Sequence, residues 1–141
     1  MPREMDRHAH NALASNLGEL ELLVLEKIWA NPGSNAKSLS ASFAPVRQVS
    51  LSTVQSTLER LVKKGHLERE KQGHAFRYFP RQSRSELMGS MLREVIQLLH
   101  DGQTTTILSS FVNVAERLDG NALDQLEALI QKKRRERKQD D

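Results

Sequence analysis

Ser52, Thr53, Ser56, Arg60 and Lys63 are the residues of this 141-residue chain whose types and spacing most readily suggest chemistry. They lie in SLSTVQSTLERLVKKG, residues 50–65, and fall on one side of a helical projection, hydroxyls first and cations after. Small hydroxyls near a helix start can approach base edges and phosphates, and Arg and Lys can neutralise a phosphate backbone. No carboxylate is expected to interrupt them on that side. Leu51, Val54, Leu58, Leu61 and Val62 supply the opposite stripe, spaced for burial. A surface helix with a solvated polar face would carry the same two faces, so the neighbouring elements decide between the readings.

Other chemistries find little support. The chain has no cysteine, which removes disulfides, thiol nucleophiles and Cys-based metal sites. Its five histidines (8, 10, 66, 74 and 100) are scattered, and no HExxH, GxSxG or phosphate-binding glycine loop occurs. His8 and His10 form a His-x-His pair with no further ligand nearby, so no metal, cofactor or enzymatic activity is expected. No apolar run reaches the ~20 residues of a membrane span, and the polar start MPREMDRHAHNALASN lacks a signal-peptide core. A cytoplasmic protein without membrane insertion is expected. The formal net charge of +3 permits a nucleic-acid partner without requiring one.

The elements around 50–65 shift the balance. Residues 1–16 read as a flexible leader. Leu17 to Ala30 reads as a first helix, stopped by Asn31-Pro32-Gly33. Ser34 or Asn35 can cap a second helix, Ala36 to Phe43, ended by Pro45, and Ser50 is a good cap for the third. Beyond Gly65 the pattern turns strand-like: His66 to Lys71, a turn at Gln72-Gly73-His74, then Ala75 to Phe79, closed by Pro80. Three helices and a hairpin make a winged helix-turn-helix. Between residues 47 and 77 seven Lys or Arg face three Glu, a net +4, so the positive charge concentrates on the third helix and the wing. That placement suits counterion-release binding. Arg60, Lys63, Lys71, His74 and Arg77 are therefore candidate phosphate contacts.

Three further helices follow, Glu86 to His100, Thr105 to Leu118 and Asn121 to Ile130. They carry more apolar surface than short helices can hide among themselves, and a homodimer interface is the usual remedy. The candidate dimer contacts are Leu92, Val95, Ile96 and Leu99, then Ile107, Leu108, Phe111, Val114 and Leu118, then Leu126 and Leu129. The closing run KKRRERKQDD reads as a solvated end that could add non-specific phosphate contacts or complement a helix dipole. The expected fold is mainly α: a winged helix-turn-helix DNA-binding domain over 17–81, a helical dimerisation domain over 82–131 and a charged tail over 132–141.

LGELELLVLEKIW (17–29), STVQSTLERLVKKGHLER (52–69) and GHAFRYFP (73–80) together resemble the penicillinase-repressor (BlaI/MecI/CopY) family of winged-helix repressors. The resemblance covers about residues 17–130. It implies a homodimeric transcriptional repressor that binds an inverted-repeat operator in double-stranded DNA. It also implies that the start of the third helix enters the major groove, placing Ser50, Ser52, Thr53, Gln55 and Ser56 near the bases. Of these, Gln55 is best equipped for a bidentate contact to adenine, although it projects to the flank of the polar side. In β-lactam-responsive relatives induction involves a cut before a Phe in the dimerisation domain. The matching bond is Ser110–Phe111, and a membrane sensor-protease is the partner that this mode calls for. Leu51 stands where family members often have Pro, which leaves the entry angle of the third helix less constrained. The absence of cysteine excludes the Cys-x-Cys copper sensing of other relatives. Two alternatives remain open on the residues alone: a winged-helix module that docks on an acidic protein partner, and a regulator gated by a small ligand at the dimer interface.

Overall fold

The structure, a computed structural model, describes residues 17–43 and 48–140. The leader with its His-x-His pair, Pro45 and Arg47 lie outside the described residues. Among the described residues six helices and one hairpin follow in order: α1 (Glu19–Ala30), α2 (Ala36–Phe43), α3 (Leu51–Lys63), β1 (Leu67–Gln72), β2 (Ala75–Pro80), α4 (Arg84–Leu99), α5 (Thr104–Glu116) and α6 (Ala122–Asp140). The described residues fall into two compact units divided between Leu98 and Leu99.

The first unit is built around one apolar cluster. Val24, Leu25 and Ile28 of α1 meet Leu39 and Phe43 of α2, Val54, Leu58 and Leu61 of α3, Leu67 and Tyr78 of the hairpin, and Leu87 of α4. Local signals set the helix starts. Asn35 Oδ1 accepts the Ser38 amide at 2.8 Å and caps α2. Ser50 Oγ accepts the Thr53 amide at 3.2 Å and caps α3.

The buried side of α3 differs from its sequence reading at one end. Leu51 is 42% exposed, whereas Thr57 is fully buried. Leu51 is the first residue of the helix and projects past the edge of the cluster, so its spacing alone does not bury it. Thr57 can take its place in the core because its hydroxyl donates to the Thr53 carbonyl at 2.7 Å. A buried polar group so paired escapes most of its desolvation cost.

β1 and β2 pair antiparallel with Leu67 opposite Pro80 and Gln72 opposite Ala75, leaving Gly73-His74 as the loop. The hairpin is also tied to the α1–α2 turn. Gly33 donates its amide to the Tyr78 carbonyl at 2.8 Å, and the Tyr78 amide donates to the Ser34 carbonyl at 3.1 Å. Gly33 has φ +85°, and a Cβ there would stand 3.3 Å from the Phe79 ring, so backbone angle and space both favour glycine.

The second unit holds α5 and α6, neither of which has a buried residue. α6 does not stop at Ile130, the last apolar residue, but continues to Asp140. Lys, Arg, Gln and Glu are good helix formers, and the run contains no Gly or Pro to end it.

Leu58→Ala should destabilise the first unit by about 2–5 kcal/mol, the range for a buried Leu that leaves a cavity. Leu51→Ala should cost well under that, and urea denaturation of the two variants measures the contrast.

Candidate nucleic-acid interface

The polar side of α3 is presented outward because its other side is buried against α1 and α2. Ser52, Thr53, Gln55, Ser56, Arg60 and Lys63 are all exposed. Their hydrogen bonds divide them. Ser50 Oγ, besides capping, donates to Thr53 Oγ1 at 2.8 Å and lies 3.3 Å from Ser52 Oγ. Ser56 Oγ donates back to the Thr53 carbonyl at 3.1 Å. The first-turn hydroxyls are therefore engaged with their own helix. The Gln55 side-chain amide makes no hydrogen bond to another described residue, so both its donor and its acceptor are available to a ligand.

A carboxylate does stand on this face, contrary to the sequence expectation. Ser52, Ser56, Glu59 and Lys63 succeed one another at helical spacings of four, three and four, so Glu59 lies between the hydroxyls and Lys63. It is neutralised by the wing. Tyr78 donates its hydroxyl to Glu59 Oε1 at 2.9 Å, and Arg69 forms an ion pair with Glu59 Oε2. Arg69 is held in turn over the Phe76 ring, 4.5 Å from its centroid. Arg69 and Tyr78 are directly opposed across the hairpin, so one cross-strand pair clamps the wing to α3. Sequence reasoning missed this junction. Its visible signal was a lone carboxylate on an otherwise basic face.

The wing distributes its candidates unevenly. His74 lies in the loop and Lys71 at the adjacent end of β1, both exposed. Arg77 pairs across from Glu70, on the opposite face of the hairpin from Lys71, and donates to the Gly33 carbonyl at 3.2 Å. Two other cations of the region also have structural partners. Lys64 binds the buried Glu21 carboxylate at 2.7 and 2.9 Å, joining the end of α3 to the start of α1, and Arg69 serves Glu59. Arg60, which donates to Thr57 Oγ1 at 3.2 Å, keeps its charge exposed, as do Lys63 and Lys71. The resulting surface combines the open amide of Gln55 with cations on two elements, an arrangement suited to a base edge and its flanking phosphates. Among the described residues no three His, Asp or Glu cluster as metal ligands.

The candidate dimer contacts lie mostly in the open. Leu92 and Leu99 of α4, Leu108, Phe111 and Val114 of α5, Leu118 beyond it and Leu129 of α6 are exposed. Val95, Ile96, Ile107 and Leu126 are half-buried. The Ser110–Phe111 bond lies within α5, and Ser110 Oγ donates to the Thr106 carbonyl at 2.8 Å.

The family model for penicillinase repressors matches residues 17–132. The penicillinase repressor of Bacillus licheniformis is 23% identical over 123 residues, which cover 87% of this chain and 95% of that protein. The transcriptional regulator BlaI of Mycobacterium tuberculosis is 24% identical over 116 residues, 82% of this chain and 83% of its own. A solution structure of the Bacillus licheniformis BlaI monomeric form in complex with the blaP half-operator aligns at 31% identity with a TM-score of 0.43. That alignment covers 50% of this chain and 87% of the solved one.

Tyr78 is the single tyrosine, so its titration can be followed directly. Burial first, and then its bond to Glu59, push its pKa from 10.0 to about 12. A raised folded-state value means that this contribution to stability is complete below pH 10 and is lost as the pH rises towards 12. Phenolate absorbance should show the late transition. Glu59→Gln should bring its midpoint down only in part, because burial is the larger cause.

Proposed function

Since the chain belongs to the penicillinase repressor family, we propose that it is a transcriptional repressor that binds an inverted-repeat operator in double-stranded DNA as a homodimer. The carrying observation is that the family match runs through both the winged-helix elements and the exposed apolar helices that follow. Under this reading α3 lies in the major groove. Gln55 makes the principal base contact, and Ser52, Thr53 and Ser56 stand at the groove floor. Ser50 acts first as the cap that positions them. Arg60, Lys63, Lys71, His74 and Arg77 hold phosphates, with Arg77 braced on the α1–α2 turn. No helix among the described residues is long and apolar enough to cross a membrane. A DNA partner places the protein in the cytoplasm.

The homodimer is supported by the apolar surface left uncovered. No residue of α5 or α6 is fully buried, and Leu99, Val114 and Leu118 are 71%, 60% and 73% exposed. Within the first unit, Met88, Met91, Leu92 and Val95 of α4 line an open apolar groove with Leu22 and Trp29 of α1. Large apolar side chains left open side by side mark a surface that a partner covers, and a two-fold mate presenting the same side chains would do so. Relief of repression by a membrane sensor-protease would act at Ser110–Phe111. Because that bond is helical, cutting requires the middle of α5 to open first.

Arg60→Ala and Lys63→Ala should each weaken binding to every duplex and lower the slope of log affinity against log salt by about one per lost phosphate contact. Gln55→Ala should instead relax preference at one position in each half-site, costing about 1–3 kcal/mol there. Anisotropy titrations on the chain's own upstream palindrome and on single-base variants read both effects. If neither cation variant changed affinity or slope, α3 would not be the reading helix. Phe111→Glu should sediment as a monomer and lose affinity for the full palindrome while retaining half-site binding.

A further inference from the structure

We infer that the basic end of α6, residues 131–140, is a second and sequence-independent grip on the nucleic-acid backbone, distinct from the α3 face. The inference rests on the DNA-binding reading only in taking duplex DNA as the polyanion.

Every residue of this segment is exposed. It carries Lys132, Lys133, Arg134, Arg135, Arg137 and Lys138 against Glu136 and Asp140, a net +4 in ten residues. The usual structural uses of such charge account for little of it. Helix-dipole complementation acts within the last turn, where only Arg137 and Lys138 stand. Ion pairing among the described residues engages one of the six, Lys133, with Glu136 at 3.8 Å. None of them packs in a core.

The face on which they stand narrows the partner. Leu126, Leu129 and Ile130 run directly into Lys133, Arg134 and Arg137 along one stripe of α6. The apolar half suits a second copy. The basic half does not, because the same surface on a two-fold mate would set like charges together. The family model ends its match at residue 132, which leaves nearly all of the basic segment unaccounted for by it. That segment is helical, highly charged and without an apolar residue. The apolar residues of α6 precede its cations along the axis and do not flank them, so 131–140 has no apolar face of its own to lay into a bilayer, which favours nucleic acid over lipid. Ten helical residues span about 15 Å. Duplex DNA presents one negative charge per ~1.7 Å, so roughly nine phosphate charges lie within that reach. Being covalently joined to the reader, the grip adds affinity through local concentration, without any base contact.

The test compares the full chain, a chain ending at Gln131 and the helix-preserving variant K133Q/R134Q/R137Q/K138Q. Each is titrated over a salt series on the bare operator, on the operator with random flanks, and on a random duplex. The full chain should gain about tenfold in affinity from the flanks, and both altered chains should lose that gain. Their salt slopes should fall by about 2–4 while their operator preference stays unchanged. Equal affinities and slopes for all three chains on every duplex would overturn the inference. So would a charge-dependent effect confined to phosphatidylglycerol vesicles, which would assign the segment to a membrane surface. A tail-dependent affinity for random duplex with no operator preference would sustain the grip while sinking the operator reading. Failure of the full chain to bind any duplex at low salt would overturn both.

Discussion

The first unit depends on the complete burial of one side of α3. Val54, Thr57, Leu58 and Leu61 are fully enclosed by α1, α2 and the hairpin. A helix has a fixed period, so enclosing these four settles the direction of every other residue on it. Gln55, Ser56 and Lys63 face outward because Val54, Leu58 and Leu61 cannot. Rotation of the helix by one residue would turn either Arg60 or Glu59 into the core and expose Leu61, a change the core cannot tolerate.

That constraint orients the helix but leaves the wing undetermined. Leu67 and the Tyr78 ring anchor the wing in the core, and polar contacts at one face and at one edge complete its placement. At the face, Tyr78 and Arg69 close on Glu59 of α3. At the edge, the Tyr78 backbone bonds to Gly33 and Ser34 in the α1–α2 turn, and Arg77 reaches the Gly33 carbonyl. Tyr78 thus joins three elements through its ring, its hydroxyl and its backbone. The same contacts give several of the local charges structural partners, so the net +4 read over residues 47–77 overstates what is left for a ligand. The exposed charge that remains belongs chiefly to Arg60, Lys63 and Lys71.

The two units follow different economies. The first encloses its apolar cluster and, among the described residues, leaves no buried side-chain polar atom without a partner. In the second, α5 and α6 display their apolar residues and then, on α6, a run of cations. A chain that exposes Leu108, Phe111, Val112 and Val114 on one 13-residue helix has left the stability of that helix to whatever covers it. At Ile130 one stripe of α6 changes from apolar to basic, so the two halves of the helix present opposite chemistries to whatever meets them.

The sequence by itself determined the order of elements, because hydrophobic period, caps and glycine turns act within a few residues: Asn35 and Ser50 do begin helices, and the hairpin turns at Gly73-His74. It also exposed the motifs on which membership of the repressor family rests, since these are runs of contiguous residues. It misjudged Leu51, whose spacing fits the stripe but whose place at the first turn lies past the core. It also misjudged the reach of α6, because apolar periodicity cannot mark a helix that continues without apolar residues. Only the tertiary structure decided the partners of Glu59, Lys64 and Arg77, which come from residues 19, 43 and 44 positions away. Side-chain pairing over such separations depends on how the helices and hairpin pack, and no local pattern records it.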